Sequence, residues 1–318
     1  MVRILKIVGK RLLLMVPVLL GVSVVIFFLA NMIPGSPVDA YISETTTPEE
    51  IARLEERFGL EEPVPVRYWN WLLSCLKGDF GYSYRTGSAV TGMIASRIGP
   101  TLLLAATALI ISLLISTILG VVAACKPYGV ADYIASGLSF LGSGVPVFFL
   151  ALLSIYLFSV KLGWLPNSGM YSSGGNRDFW DMLKHIIQPS VVLAISIAGS
   201  NIRQTRSAML EVLNEEYVKV ARAKGMPRRT VIFRYAFRNA LIPIVTQAGL
   251  TVTMLVGGAV VTEQIFGWPG LGTLLMTSIQ FRDYPTIMCI TLYITIGIII
   301  VNLVVDIIYS ILDPRIKL

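Results

Sequence analysis

The chain has 318 residues, of which 55% are hydrophobic and only 14% are charged, with a formal net charge of +7. Soluble domains carry about 25% charged residues, so this composition excludes an ordinary soluble protein and indicates a membrane protein. The positive charges lie in loops beside apolar runs, which is typical of membrane orientation signals and argues against a nucleic-acid-binding face. Three widely separated cysteines and a single histidine form neither a disulfide framework nor a metal site.

Six uncharged apolar runs divide the sequence. A helix rises 1.5 Å per residue, so about 20 residues cross the roughly 30 Å hydrocarbon core of a bilayer. The predicted fold class is therefore all-α: a polytopic membrane protein with six transmembrane helices that form one domain over residues 1–318. The predicted spans are residues 12–33, 101–125, 133–160, 186–202, 239–262 and 284–305.

The charges predict how the chain is oriented. Four basic residues and no acid occupy residues 1–11, which places the N-terminus in the cytoplasm. The first run is longer than the core of a signal peptide, so an uncleaved span is expected. Residues 34–99 form a polar, amphipathic segment with more acids than bases, expected outside, with a helix capped by Thr47. The tail, residues 313–318, is expected inside.

Two stretches contain residues that suit a transport pathway or gate. Glycine and proline interrupt the third span, which indicates either a kinked helix within a bundle or a bend that lines a pore. After the fifth span, a Trp-Pro-Gly sequence indicates either a tight turn or a contact with another protein. The candidate positions are Gly142, Gly144, Pro146, Trp268, Pro269 and Gly270.

Residues 211–238 form a basic segment between the fourth and fifth spans. With Arg203 and Arg206 just ahead of it, this region holds nine of the chain's 26 basic side chains. Two helical stretches meet at residues 225–227, where Gly suits the end of one helix and Pro the first turn of the next. We expect a short helix offered to a partner, followed by a longer basic helix under the membrane.

Several features needed for independent activity are absent from the sequence. It has no phosphate-binding GxxxxGK[ST] loop, and no GxSxG or HExxH motif that would indicate an enzyme. The six runs contain no ionisable side chain of the kind that an ion-driven carrier uses, and no charged ring of a channel is evident. Glu263 and Asp306, just past span ends, are expected to be solvated. The sequence thus favours a pore driven from outside the chain.

The basic segment resembles the "EAA" loop of the membrane subunits of ABC importers, and most closely the oligopeptide/dipeptide/nickel permease branch. Lys219-Val220-Ala221 replaces the Glu-Ala-Ala of the general motif, so the motif glutamate is missing. Four further stretches are similar to this branch in the same order. They are residues 12–39, GDFGYSYRTG at 78–87, VVTEQIFGWPGLG at 260–272, and residues 301–318.

The resemblance implies a binding-protein-dependent permease subunit of the inner (cytoplasmic) membrane that imports di- or oligopeptides by alternating access. Its partners would be a second homologous permease, two ATPase subunits, an extracytoplasmic binding protein and membrane lipid. ATP and Mg²⁺ would bind to the ATPase subunits, leaving this chain with no catalytic residue, metal or cofactor. The expected ATPase-coupling residues are Glu216, Tyr217, Lys219, Ala221, Arg222, Lys224 and Gly225.

Other functions remain open at this point. The same architecture in this family imports nickel complexes, glutathione or oligosaccharides. A stand-alone channel or a secondary carrier is the alternative from a different class, and it would transport without ATP. A membrane-bound enzyme is a third, although the sequence lacks any recognisable set of acid, base and nucleophile.

Overall fold

The computed structural model describes residues 2–32, 34–42, 46–174 and 177–312. Across these ranges the chain is helical and forms no strand, only an isolated antiparallel bridge between Tyr82 and Ala89. The C-terminal tail at residues 313–318, expected inside, and Ile33 at the end of the first predicted span lie outside the described residues.

Twelve α-helices follow one another in these ranges, and two of them continue into π-helical turns. A 3₁₀ turn, Pro37–Tyr41, follows α1, and the π-helical stretches Ile155–Lys161 and Val231–Phe237 follow α6 and α9. The helices are α1 Val2–Met32, α2 Pro48–Arg57, α3 Val64–Leu76, α4 Val90–Cys125, α5 Val130–Gly144, α6 Val147–Ser154, α7 Phe179–Leu213, α8 Glu216–Ala223, α9 Arg228–Thr230, α10 Arg238–Ile265, α11 Leu271–Gln280 and α12 Tyr284–Leu312.

The apolar runs lie in long helices or in bent helix pairs. Four helices are long and apolar enough on their own, and two bent pairs bring the number to as many as six. One pair joins α5 to the helix from Val147 to Lys161 at 107°, and the other is a 46° bend within the helix that begins at Arg228. The prediction of an all-α polytopic membrane protein is confirmed. The helix α11 was not predicted, because its sequence lacks a helix-start signal.

The chain divides into two compact units. The first unit consists of Pro100–Trp268 with both ends of the chain, and the second of Val8–Gly99 and Pro269–Ile299. In the first unit, α7 packs against both α5 and α10. In the most apolar stretch of α7, 61% is buried, compared with 22% in the corresponding stretch of α4 and 11% in that of α1. The polar and small residues of the fourth predicted span therefore make helix–helix contacts, as expected.

In the second unit, a buried carboxylate holds the GDFGYSYRTG loop. Asp283 is 1% exposed. It accepts hydrogen bonds from the Ser83 hydroxyl at 2.5 Å, the Tyr84 backbone N–H at 2.9 Å and the Thr286 hydroxyl at 2.8 Å. The stretch does form a loop, as its turn residues predict. Ahead of it, Thr47 caps α2, as predicted, and the structure adds a capping box between Thr47 and Glu50.

Two glycines allow α5 and α7 to approach closely in the first unit. A Cβ added to Gly142 would collide with the backbone carbonyl oxygen of Ile195. A Cβ added to Gly199 would lie 2.5 Å from the backbone carbonyl oxygen of Ser139. The Ser139 hydroxyl also donates to the Gly199 carbonyl at 2.7 Å. Gly142 is therefore a packing residue of this helix pair.

Replacing Gly142 with Ala is expected to lower the thermal midpoint of the purified protein in detergent. The added methyl group meets fixed backbone, and overpacking of this kind costs about 1–3 kcal/mol. Gly137→Ala on the same helix is the matched control, since nothing lies within 4 Å of its added Cβ. A Gly142→Ala protein as stable as the control would contradict the close contact.

Candidate functional site

The basic segment contains a short, separate helix. α8 has eight residues, Glu216–Ala223, and two residues separate it from the end of α7. Gly225 follows it with φ of +74°, a left-handed conformation that glycine adopts without strain. Pro227 then precedes α9. The predicted helix break at residues 225–227 is confirmed.

The inner face of α8 is anchored in an apolar cluster of the first unit. Val218 is fully buried and Ala221 is 4% exposed. Both belong to a cluster with residues from α4, α7 and the helix that follows α9, including Val121, Met209 and Ala236. Two buried contacts one turn apart fix the rotation of α8 about its own axis, so the opposite face is held outward.

The outer face of α8 is exposed and mixes apolar with basic side chains. Tyr217 is 42% and Val220 is 51% exposed. Partial burial raises the pKa of the Tyr217 phenol. Six of the seven expected coupling residues are exposed, whereas Ala221 faces the cluster. The exposed six are Glu216, Tyr217, Lys219, Arg222, Lys224 and Gly225.

The second basic helix is not a separate element, which corrects the expected organisation of this segment. From Arg228 the chain runs without a break through α9 and the π-helical stretch into α10. Arg228 donates to the Cys125 carbonyl oxygen at the end of α4, at 2.9 Å. A cavity of about 490 Å³ opens beside this contact, lined among others by Arg222, Met226 and Leu213. The basic helix is the first part of the helix that contains the fifth predicted span.

The candidate pathway residues fall into different environments. Gly144 and Pro146 are exposed at the 107° bend between α5 and α6, whereas Gly142 is buried. Trp268 is 0% exposed, and its indole N–H donates to the Pro100 carbonyl oxygen at 2.9 Å. Gly270 is the residue that precedes α11. The residues at the bend are therefore accessible to a substrate or partner, whereas the Trp268 ring is inaccessible in this conformation.

The chain matches two family models, a binding-protein-dependent transport system inner membrane component over residues 116–318 and the N-terminal part of such components over residues 4–105. It belongs to this family. The matches make the chain a permease subunit of an ABC importer, a multi-pass inner membrane component that transports and does not catalyse a reaction.

Named relatives cover almost the whole permease. A putative peptide permease protein of Brucella ovis is 43% identical, over 96% of this chain and 97% of the relative. The oligopeptide permease AppB of Bacillus subtilis is 39% identical (97% and 98%), and the glutathione permease GsiC of Salmonella choleraesuis is 38% identical (97% and 97%).

A solved structure shares the fold of the permease. An inward-facing MetNI methionine ABC transporter aligns with a TM-score of 0.56, covering 70% of this chain and 97% of that chain. Sequence identity over the alignment is 17%, so the likeness concerns the fold alone.

Two buried acids of the permease were wrongly expected to be solvated. Glu263 is 0% and Asp306 9% exposed. Thr101 donates its hydroxyl to Glu263 at 2.7 Å. Both residues lie within helices that extend past the apolar runs, α10 to Ile265 and α12 to Leu312. The ends of the uncharged runs were taken as the helix ends, and this caused the error.

Sequence reasoning also missed an ion pair between α5 and α7. Asp132, 5% exposed, accepts two hydrogen bonds from the Arg206 guanidinium at 2.7 and 2.8 Å. One helical turn away, Arg203 donates to the hydroxyls of Ser139 and Ser143. The sequence grouped both arginines with the basic segment. Their contacts with α5, which the packing of α7 on α5 creates, show that they have a different role.

Proposed function

We propose that this permease subunit imports small peptides across the inner membrane, driven by ATPase subunits that bind α8 from the cytoplasm. The main support is the geometry of α8, which is anchored by Val218 and Ala221 and presents Tyr217 and Val220 outward. An amphipathic helix held at a fixed rotation can fit a groove on a partner and transmit its movement. Because the sequence lacks a GxxxxGK[ST] phosphate-binding loop, the proposal assigns ATP and Mg²⁺ binding to the partner.

The proposed assembly contains this permease and three kinds of partner. A second homologous permease completes the pathway, two ATPase subunits bind on the cytoplasmic side, and an extracytoplasmic binding protein delivers the peptide. In this proposal the N-terminus, the basic segment and the C-terminus lie on the cytoplasmic side, which is supported by the excess of basic residues at the start of the chain and in the basic segment. ATP-driven closure of the ATPase subunits moves α8 and switches the spans between outward and inward openings.

The proposed cargo is a di- or oligopeptide. The support is the pair of relatives named peptide and oligopeptide permeases. The relative named a glutathione permease makes glutathione the second candidate. A ligand screen of the partner binding protein, with dipeptides, longer peptides and glutathione, separates the two.

The function is tested by reconstituting the permease in liposomes with its partner permease, ATPase subunits and binding protein. We expect labelled peptide to enter only with ATP, and hydrolysis to rise when peptide-loaded binding protein is added. Liposomes that contain this chain alone are the control, and they should show no uptake. Transport by the lone chain without ATP would instead support a channel or a secondary carrier.

A further inference from the structure

Arg203 carries an exposed charge on a spanning helix. It lies on α7 almost three turns before that helix ends at Leu213. Its Nη1 donates to the Ser139 hydroxyl at 2.7 Å and to the Ser143 hydroxyl at 3.0 Å, and lies 3.5 Å from the Ser139 carbonyl oxygen. Both serines belong to α5. The side chain is thus fixed in one direction by the neighbouring helix.

The guanidinium group of Arg203 points away from the nearest helix end. α5 and α7 run antiparallel, because Arg206 pairs with Asp132 at the start of α5 while Gly199 meets Ser139 farther along. Ser139 and Ser143 lie roughly 10–16 Å beyond Asp132 at 1.5 Å per residue. Arginines near helix ends usually extend toward the membrane surface. Arg203 extends in the opposite direction, deeper into the span.

No carboxylate in the described ranges pairs with Arg203, whereas Arg206 has Asp132. The hydrogen bonds of Arg203 to described residues all involve Nη1. Nε and Nη2 take no part in these hydrogen bonds. They form the edge of the guanidinium that can bind a carboxylate through two parallel hydrogen bonds. Arg203 directly follows the apolar run 186–202, and its guanidinium lies beside Ser139 and Ser143 of the third predicted span. A charge at the depth of a span is costly unless it faces water or an opposite charge, and such residues often mark substrate pathways.

The surface around Arg203 is polar and adjoins the helix bend. Ser143, Gly144 and Pro146 are exposed beside it, at the 107° break between α5 and α6. Glycine and proline at such a break leave backbone groups that water or a passing substrate can satisfy. An exposed cation and a broken helix thus occur at the same place.

We propose that Arg203, positioned by Ser139 and Ser143, lines the translocation pathway and binds the C-terminal carboxylate of the peptide in transit. Every linear peptide with a free C-terminus carries this group whatever its side chains are. One fixed cation therefore serves cargo of varied sequence. The proposal rests on the proposed function, since it names the part of a peptide that this pathway recognises.

The first test compares uptake of trialanine with uptake of its C-terminal amide in liposomes that hold the complete importer. Arg203→Gln is expected to lower trialanine uptake about tenfold, the scale of charge-assisted hydrogen bonds, and amide uptake less than twofold. Arg203→Lys should retain most of the discrimination. Any preference of the binding protein for trialanine or its amide is the same in all variants. It cancels when the uptake rate of each variant is divided by the wild-type rate for the same peptide.

The matched control is Lys126→Gln, which removes an exposed positive charge from the turn before α5. It should leave both uptake rates within twofold of wild type. Equal losses for trialanine and the amide in Arg203→Gln would overturn the proposal, as would no loss for either. Absence of peptide uptake by wild type would instead contradict the proposed function.

A second measurement does not depend on transport. Arg203→Cys in the assembled importer should react with a water-soluble, charged thiosulfonate reagent, whereas the wild-type protein, with its own three cysteines, reports the background. A cysteine that reacts in the isolated subunit but not in the complete importer would place this position against the second permease. That result would overturn the pathway assignment.

Discussion

Replacing Val220 with Asp is expected to reduce binding-protein-stimulated ATP hydrolysis at least roughly tenfold while the permease stays folded. Val220 is 51% exposed on the outer face of α8. A charge introduced into the centre of a docking contact must be desolvated without a partner, and losses of about 2 kcal/mol or more are typical of such positions. The measurement is the hydrolysis rate of the reconstituted importer as a function of binding-protein concentration.

Val218→Asp on the same helix is the matched comparison. Val218 is fully buried in the cluster with Met209 and Ala236, so a carboxylate there is expected to destabilise the first unit itself. Its thermal midpoint should fall in the isolated subunit, whereas that of Val220→Asp should not. Hydrolysis at the wild-type rate in Val220→Asp would show that the outer face of α8 is not the ATPase contact.

Replacing Trp268 with Ala is expected to give the largest loss of stability among single substitutions in the first unit. The ring is fully buried in a cluster with Leu104, Ile186 and Leu193, and its N–H is bonded to the Pro100 carbonyl. Truncation of a buried tryptophan costs about 3–5 kcal/mol. The thermal midpoint of the purified permease in detergent should therefore fall by several degrees or more.

Two variants separate the contributions to this effect. Trp268→Phe keeps a ring but leaves the carbonyl of Pro100 without this donor, a loss of about 1–3 kcal/mol. Trp164→Ala removes the same side chain from a position that is 69% exposed and should leave the midpoint nearly unchanged. If Trp268 were instead a gate, Trp268→Ala would change transport without lowering stability.

Features that depend on neighbouring residues were predictable from the sequence. The apolar runs mark the spanning helices because each residue contributes its own transfer free energy. Thr47 and Glu50 form their capping box across three residues, and Gly225 with Pro227 separates α8 from α9. The small and polar composition of α7 likewise indicated a helix that packs on other helices.

Features that depend on distant residues were not predictable. Glu263 is buried beside Thr101, and Ala221 faces the cluster although it lies within a basic stretch. The anchoring of the 78–87 loop by Asp283 joins residues about 200 positions apart. Nothing in the local composition distinguishes these residues from solvated neighbours.

The sequence by itself determined the membrane class, the apolar stretches that can form spans and the presence of a short helix in the basic segment. Hydrophobicity, charge bias and capping act between residues that are close along the chain, so one sequence is enough to show them. Only the tertiary structure decided which face of α8 is outward and that Arg203 is held by Ser139 and Ser143. Both follow from the packing of α5, α7 and α8, which places side chains together that the sequence keeps far apart.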